Sequence, residues 1–307
     1  MAFQRIVFRT FPDGVVRKLY PFHLSLEGMK SIVLCREDED YDHLEKSFYL
    51  SALKCNCRII ISAAMSNHGH AATLASNMQA VRQMGLLIKQ RHAQYLRWKY
   101  NEEGVLRRSD INVQYLDSDS YVRNALAYIP RNAADAGCRI EDYRWSGYRG
   151  MFVGGKVLVP GRSVSTLTRR EKEALFHTHE DLRQVPWVVN MDGGLEPASA
   201  CDYEYLESAF AHDQTYFLKT IGLLNEEEMR QKLLLNGRVK LSDKDFLPIV
   251  TERAQQWFQK PVIALTPEHK ARMIKYLYRS YKTTPSQLSR CLQMSPDTVS
   301  FLLKAHD

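Results

Sequence analysis

Two pairs of histidines separated by a single residue are the first candidates for metal chemistry in this sequence. His68 and His70 follow CRIIISAAMSN, whose apolar, β-branched composition predicts a strand. In an extended chain, residues i and i+2 point to the same side, so both imidazoles can bind one cation. His177 and His179 lie in TRREKEALFHTHEDL, which predicts a helix, where such residues are about 200° apart around the axis. We therefore expect only His68 and His70 to chelate.

The segment YIPRN at residues 128–132 offers a nucleophile close to another ligand. If this segment is helical, Tyr128 and Asn132 are i and i+4 neighbours, and a phenol and a carboxamide oxygen share one face. Such a pair can place a nucleophile beside a metal ligand. The alternative is that Tyr128 is an ordinary core residue and Asn132 a polar residue near the helix end before Gly137. The pattern by itself leaves both interpretations open.

Several segments, in one order over about residues 18–150, resemble the single-tyrosine HUH transposases, in particular the REP-associated tyrosine transposases. They are HLSLEGMKSIVLCREDEDYDHL, CRIIISAAMSNHGH, RHAQYLRWKYNEEG, NALAYIPRNAADAG and EDYRWSGYRGM. The resemblance implies an antiparallel sheet with packed helices, of the ferredoxin or RNA-recognition type, with the active site on the sheet. It also implies that His68 and His70 are metal ligands, that Tyr128 is the nucleophile and that Asn132 can complete the metal site.

The activity implied by this resemblance is metal-dependent cleavage and rejoining of single-stranded, hairpin-flanked DNA by a transposase or a REP-processing nickase. Mg²⁺ or Mn²⁺ would polarise the scissile phosphate. Tyr128 would displace a 3′-hydroxyl and form a 5′-phosphotyrosine intermediate. Family members often dimerise, so a homodimer is an open alternative here.

Two departures from the family pattern bear on this activity. Gly69 stands between the histidines where a bulky hydrophobic residue is usual, and glycine adds backbone freedom at that point. Pro130 lies between Tyr128 and Asn132, and inside a helix a proline costs about 3 kcal/mol. The departures support a first alternative, a domesticated DNA-binding protein without catalysis. A second alternative is a metal-dependent phosphodiesterase that uses activated water.

Composition and charge agree with a folded protein that binds a polyanion. The chain has 307 residues, of which 45% are hydrophobic and 25% charged, which excludes disordered and collagen-like classes. The formal charge of +7, from 42 basic and 35 acidic residues, favours nucleic acid as a partner. No apolar run approaches the roughly 18 residues of a membrane helix, and the N-terminus lacks a signal-peptide pattern. We expect a cytoplasmic protein with reduced cysteines and no membrane partner.

The elements that position these residues suggest three domains. Residues 15–155 alternate strand and helix patterns, which predicts an α+β catalytic domain of the HUH type, with long helices at 75–97 and 117–136. Residues 156–260 predict a helical middle region of unknown role. Residues 261–307 predict a helix-turn-helix, in which Thr266 and Ser295 cap helices. We thus expect everything after the sheet to be all-α.

Basic side chains in two segments are candidates for DNA contact. Over residues 82–100 they alternate with aromatic residues, as in grooves for single strands, although an amphipathic helix with solvated charges gives the same pattern. In a helix-turn-helix, the early residues of the second helix meet base edges of duplex DNA, although short helical pairs also serve as packing modules. The expected DNA contacts are Arg82, Lys89, Arg91, Arg97, Lys99, Thr298, Ser300 and Lys304.

Overall fold

The structure, a computed structural model, describes residues 3–11, 13–27, 33–104, 106–107, 109–154, 160–223, 241, 243–281 and 283–304. Apart from Val33, the described residues up to Leu223 form one compact unit, and those from Leu241 onward form a second. Residues 155–156, where the sequence predicts a domain boundary, lie outside the described residues. The described part of the region predicted at 156–260 is divided between the two units.

An antiparallel sheet forms the centre of the first unit, so the expected α+β class is confirmed. Its strands are β1 (Val7–Thr10), β2 (Val16–Glu27), β3 (Arg58–Ala64), β4 (His68–Ala75) and β5 (Asp110–Tyr115). The order across its main part is β5-β2-β4-β3, and β1 pairs with the first residues of β2. Strands β2 and β4 are therefore inner strands with partners on both sides.

Helices cover both faces of this sheet. They are α1 (Asp38–Lys54), α2 (Met78–Tyr100) and α3 (Asp119–Asp135). Helix α1 places Phe48 against Gly69 of β4, and α2 places Gly85 against Leu24 of β2, so both pack on one face. Helix α3 packs against β3 and β4 on the other face, where its Tyr128 contacts His70. The two long helices predicted at 75–97 and 117–136 are confirmed.

The chain after residue 160 is not all-α, so this part of the prediction is wrong. The first unit also contains β6 (Gly161–Ser163), β7 (Val188–Asn190), α4 (Arg169–Phe176), α5 (Tyr203–Ala209) and α6 (Gln214–Leu223). Strands β6 and β7 pair antiparallel. The helix predicted through His177 and His179 ends at Phe176, because His177 adopts the left-handed region with φ of 47°.

The described residues of the second unit form four α-helices: α7 (Asp243–Phe258), α8 (Pro267–Ser280), α9 (Pro285–Leu292) and α10 (Pro296–Lys304). The predicted caps are confirmed, since Thr266 accepts the His269 N–H and Ser295 accepts the Thr298 N–H. Apolar side chains of all four helices share one core, which includes Phe246, Met273, Leu288 and Val299. The described residues of this unit therefore have a core of their own.

The glycine between the two strand histidines is held by its neighbours. Gly69 pairs with Leu26 of β2 and with Ala64 of β3, so hydrogen-bonded strands flank it on both sides. A Cβ at this position would lie 2.9 Å from Cζ of Phe48. The Phe48 ring thus fills the space that a side chain at residue 69 would take, and the ladder limits the freedom of the glycine.

This packing predicts that Gly69→Ala lowers the free energy of unfolding by about 1–3 kcal/mol, because it overpacks the contact with Phe48. The shorter side chain of Phe48→Leu should relieve the contact, so Gly69→Ala should cost less in that background. Urea unfolding of both single variants and the double variant measures the coupling. An equal cost in both backgrounds would contradict the proposed contact.

Candidate active site

Strand β4 presents the two histidines on the face covered by α3. His68 and His70 alternate with Gly69, which faces α1, and β4 is hydrogen-bonded to β2 and β3 along this stretch. The ring centroids of His68 and His70 are 4.9 Å apart. The expectation that both imidazoles lie on one side of the strand is confirmed.

The protonation of His68 follows from its neighbours. Its Nδ1 lies 2.7 Å from Oδ1 of Asn67, and a carboxamide oxygen can only accept, so Nδ1 carries the proton. In the neutral ring Nε2 is then a lone-pair atom. A histidine that ligates a metal usually donates its other N–H to such an oxygen, which makes Asn67 an orienting residue.

Asn132 turns its oxygen towards this same nitrogen. Its Nδ2 donates to the backbone carbonyls of Tyr128 and Ile129, which fixes the orientation of the amide. Its Oδ1 then faces Nε2 of His68 at 3.3 Å. With His68 neutral, two lone-pair atoms meet without a hydrogen between them. Either a proton or a metal ion has to lie between these atoms for the contact to be favourable.

Tyr128 lies one helical turn before Asn132 and packs on a histidine of its own chain. Its ring makes an edge contact with His70, with centroids 5.4 Å apart, and only 7% of the residue is exposed. Pro130 lies between them in the interior of α3, which continues from Asp119 to Asp135. The structure thus brings all four expected residues of the site together, with the helix unbroken.

A third histidine, His23 of β2, belongs to the same cluster and was missed by the sequence analysis. Its ring stacks on His70 at 5.1 Å and meets Tyr128 at 6.4 Å. The sequence feature that could have revealed it is the alternation of polar and apolar residues in PFHLSL, where His23 and Ser25 take the face opposite to Phe22 and Leu24. Ser25 is the register partner of His70, so this polar face adjoins the histidine pair.

Burial keeps His23 and His70 neutral. Burial lowers the pKa of His23 to about 4, and it lowers the pKa of His70 well below its usual value, with His68 and His23 adding to the effect. Nε2 of His23 and Nδ1 of His70 are buried and have no hydrogen-bond partner among the described residues. These nitrogens are thus orphaned polar atoms inside the site.

The donor set fits a divalent cation that keeps several waters. In the described part of the chain no group of three or more His, Cys, Asp or Glu side chains is arranged to hold a metal ion. The site instead offers the imidazoles of His68 and His70 and the amide oxygen of Asn132. Mg²⁺ usually keeps several waters and binds few protein ligands, and imidazole nitrogens suit transition-metal ions, so this small set would leave room for waters and a substrate phosphate around a divalent cation.

The basic residues expected to contact single-stranded DNA lie on α2, on the other side of the sheet from Tyr128. Lys89 donates to the Ser109 carbonyl, and Arg91 donates to the Phe176 carbonyl. Arg82 is exposed, and Arg97 forms an exposed ion pair with Glu103. The structure therefore does not bring Arg82, Lys89, Arg91, Arg97 or Lys99 together with the histidines.

Lys99 belongs to a buried polar network. Its ammonium lies 2.8 Å from Asp40, which is fully buried, and it also pairs with Glu37 and Glu39. Burial would raise the pKa of Asp40, but hydrogen bonds from Lys99, the Arg36 N–H and two tyrosines outweigh it and hold the pKa well below its usual range. The tyrosines are Tyr95 and Tyr100. Lys99 therefore joins α2 to the start of α1.

In the second unit, the residues expected to read duplex DNA lie on α10. Thr298 is exposed, Ser300 is partly exposed, and Phe301 is 70% exposed, whereas Val299 is fully buried. Lys304 ends the helix, and its side chain lies outside the described part of the structure. Residues 293–295 join α9 to α10, and Gln293 adopts the left-handed region.

Comparisons with known proteins add no assignment. No family model, no curated protein and no solved structure matches this chain. Within the described residues, no helix has both the length and the apolar character needed to cross a membrane. The function of the chain therefore has to be argued from its own residues and contacts.

The Asp40 network predicts that Lys99→Gln lowers the free energy of unfolding by about 1–3 kcal/mol, because it removes a charged donor from a buried carboxylate. A depressed carboxyl pKa stabilises the fold above the unfolded value of about 3.9 and stops doing so as pH falls. The difference between the two proteins should therefore shrink below about pH 4.

Arg97→Gln is the matched control for this prediction. Arg97 and Glu103 are about 70% exposed, so this pair should contribute well under about 1 kcal/mol. Urea unfolding of the three proteins at several pH values measures both effects. Equal losses for Lys99→Gln and Arg97→Gln would refute the structural role of Lys99.

Proposed function

We propose that this chain cleaves and rejoins single-stranded DNA in a metal-dependent reaction, with Tyr128 as the nucleophile. The observation that carries the proposal is the meeting of Nε2 of His68 with Oδ1 of Asn132 at 3.3 Å, one helical turn from Tyr128. Adjacent ligands at about 2.1 Å from one octahedral ion lie about 3 Å apart, so this separation suits a shared cation. The orphaned Nδ1 of His70 gives further support.

The connectivity of the first unit also supports the proposal. Its main strands and helices follow in the order β-α-β-β-α-β, with an antiparallel sheet ordered β5-β2-β4-β3, which is a ferredoxin-like arrangement. This is the type of sheet implied by the resemblance to HUH transposases. Because α1 and α2 occupy one face, the other face is left for the histidines and for α3.

In the proposed reaction, Oη of Tyr128 attacks the phosphorus of a bound strand. A phosphorus–oxygen bond to Tyr128 forms as the bond to the 3′ oxygen breaks, and the phenol proton is lost to solvent while the 3′ oxygen gains one. Mg²⁺ or Mn²⁺, when bound, supplies Lewis-acid polarisation of the phosphate. Attack by a 3′-hydroxyl on the phosphotyrosine reverses the step and rejoins DNA without ATP.

The side chains around Tyr128 have distinct tasks in this scheme. His68, His70 and Asn132 would hold the metal, and Asn67 orients the ring of His68 by accepting from its Nδ1. Because Tyr128 contacts His70 of the same chain, one chain contains all the proposed groups. The proposal therefore does not need a tyrosine from a second copy, although it allows a homodimer.

The test of this function is covalent attachment to DNA. We expect the protein, incubated with Mn²⁺ and 3′-side-labelled single-stranded DNA from the flanks of its own gene, to give a labelled protein band on a denaturing gel. Tyr128→Phe should abolish the band and retain noncovalent binding, because only the attacking oxygen is removed. His68→Ala should also abolish it, and Tyr121→Phe on the same helix should keep it.

Other outcomes separate the alternatives. An undiminished adduct in Tyr128→Phe would exclude this residue as the nucleophile. Cleaved DNA with free ends and no adduct would favour the phosphodiesterase that uses activated water. Tight binding without cleavage by the wild-type protein would favour the non-catalytic DNA-binding alternative.

For the second unit we propose contact with duplex DNA through α10. Val299 is buried in the core of the unit, so Thr298 and Phe301 are turned outward. Two short helices joined by a brief turn, with the second exposing its early residues, support a helix-turn-helix, in which the second helix lies in the major groove. Ser300, which is partly exposed, would extend this contact along the groove.

We expect the double substitution Thr298→Ala with Phe301→Ala to lower the affinity for flanking duplex DNA about tenfold, because base-edge contacts are lost. Fluorescence anisotropy with labelled duplex measures this. Ile263→Ala changes a residue of the same unit that is 74% exposed and lies outside α10, so it should leave the affinity unchanged. Equal losses in both variants would show that α10 has no special role.

A further inference from the structure

A cavity in the first unit has in its wall a buried carboxyl group, one oxygen of which has no hydrogen-bond partner among the described residues. The cavity measures about 390 Å³, and neither the histidines of the candidate site nor Tyr128 line it. Its wall is formed by α1, by the chain between α3 and β6, and by the loop that follows β7. Cavities from about 300 Å³ upward hold small-molecule ligands, so its size is sufficient for one.

Glu45 of α1 is the carboxyl group in question. It is 4% exposed, it lines the cavity, and its Oε1 has no hydrogen-bond partner among the described residues. Leaving a buried acceptor unpaired is unfavourable, and more so for a charged group. The terminal torsion of a glutamate is broad, so either oxygen can turn towards a donor in the cavity.

The two arginines of the wall are engaged elsewhere. Arg144 pairs with Asp42 at 3.3 Å, and the Trp145 indole N–H donates to the same carboxylate. Arg149 donates to the backbone carbonyls of Glu141 and Asp142. None of these groups donates to Oε1 of Glu45, so this oxygen is available to a donor that enters the cavity.

A second buried carboxyl group, Glu196, lines the same cavity and is 5% exposed. Burial raises its pKa, against the effect of Arg149. Aromatic rings of Tyr148 and Phe152 also lie in the wall, and such rings attract organic cations. The two carboxyl groups and the rings together favour a positively charged organic group over an anion.

We propose that this cavity binds a small organic cation, with a primary ammonium or guanidinium group that donates to Glu45 and has Glu196 as its second carboxylate. This inference is independent of the DNA cleavage proposed above. It concerns different residues and a different ligand.

Binding of a cation at this cavity should be coupled to release of a proton. Burial, with the negative charge of Asp42, raises the pKa of Glu45 to about 8, so the group is mostly neutral at pH 7. A bound ammonium or guanidinium group requires the ionised form, which lowers that pKa. The other charged groups that act on Glu45 are Lys46 and Arg144, which lower its pKa, and Glu196, which raises it.

The test uses calorimetric titration of the full-length protein with butylamine and with butylguanidine, and with butanol as the uncharged match. We expect at least one of the cations to bind, with a higher affinity at about pH 9 than at about pH 6, because Glu45 must be ionised. The heat should depend on the ionisation enthalpy of the buffer, which reports the proton released. The two cations distinguish an ammonium from a guanidinium site.

Glu45→Gln should weaken binding about tenfold or more and remove the proton release, since it takes away one charged hydrogen bond. Glu141→Gln changes an exposed carboxylate of the same wall and should leave both unchanged. If Glu45→Gln does not fold, Glu196→Gln should weaken binding in the same direction. No binding of either cation, equal binding of butanol, or an unchanged affinity in the folded Glu45→Gln variant would overturn the proposal.

Discussion

The pairing of β4 on both of its edges is the constraint on which the candidate site depends. Hydrogen bonds to β2 and β3 hold the strand in one register, and a shift of one residue would send every side chain to the other face. This register places His68 and His70 towards α3 and Gly69 towards α1. The missing side chain at Gly69 allows Phe48 to pack directly on the strand, so the same pairing also determines how closely α1 approaches the sheet.

Two buried polar clusters in the first unit differ greatly in how far their hydrogen-bonding groups are paired. Asp40 is fully buried and accepts hydrogen bonds from five donors, which include Lys99 and two tyrosines, so it stabilises the junction of α1 and α2. Across the sheet, His23 and His70 each have a buried nitrogen without a partner among the described residues, and His68 faces an acceptor of Asn132. Asp40 therefore acts as a structural junction, whereas the histidine cluster is the place where we propose that a metal ion binds.

Local periodicity was enough to predict which residues share a face of one strand or helix. Which residues of different elements come together depends on the register between strands, which local periodicity does not show. The same side for His68 and His70, and the same helix face for Tyr128 and Asn132, depend only on spacing within one element. His23 joins them through the pairing of β2 with β4, which no local pattern specifies. The side of the sheet on which α2 packs is likewise a property of the whole fold, so its basic residues could not be placed relative to the histidines. His177 adopts the left-handed conformation although it is not a glycine. No residue type in the sequence therefore marked the end of the helix, and the predicted helix extended too far.

The packing around Gly69 and Pro130 weakens the case against activity that these two departures from the HUH pattern provided. The ring of Phe48 fills the space left by the missing side chain at Gly69, and the strand that contains this glycine keeps its partners on both sides. Pro130 removes one hydrogen bond from α3, yet the helix continues on both sides of it and the Asn132 amide is anchored to the Tyr128 and Ile129 carbonyls. Tyr128 and Asn132 therefore reach His70 and His68 despite the proline. Neither departure therefore displaces α3 or loosens β4, the two elements on which the proposed cleavage depends.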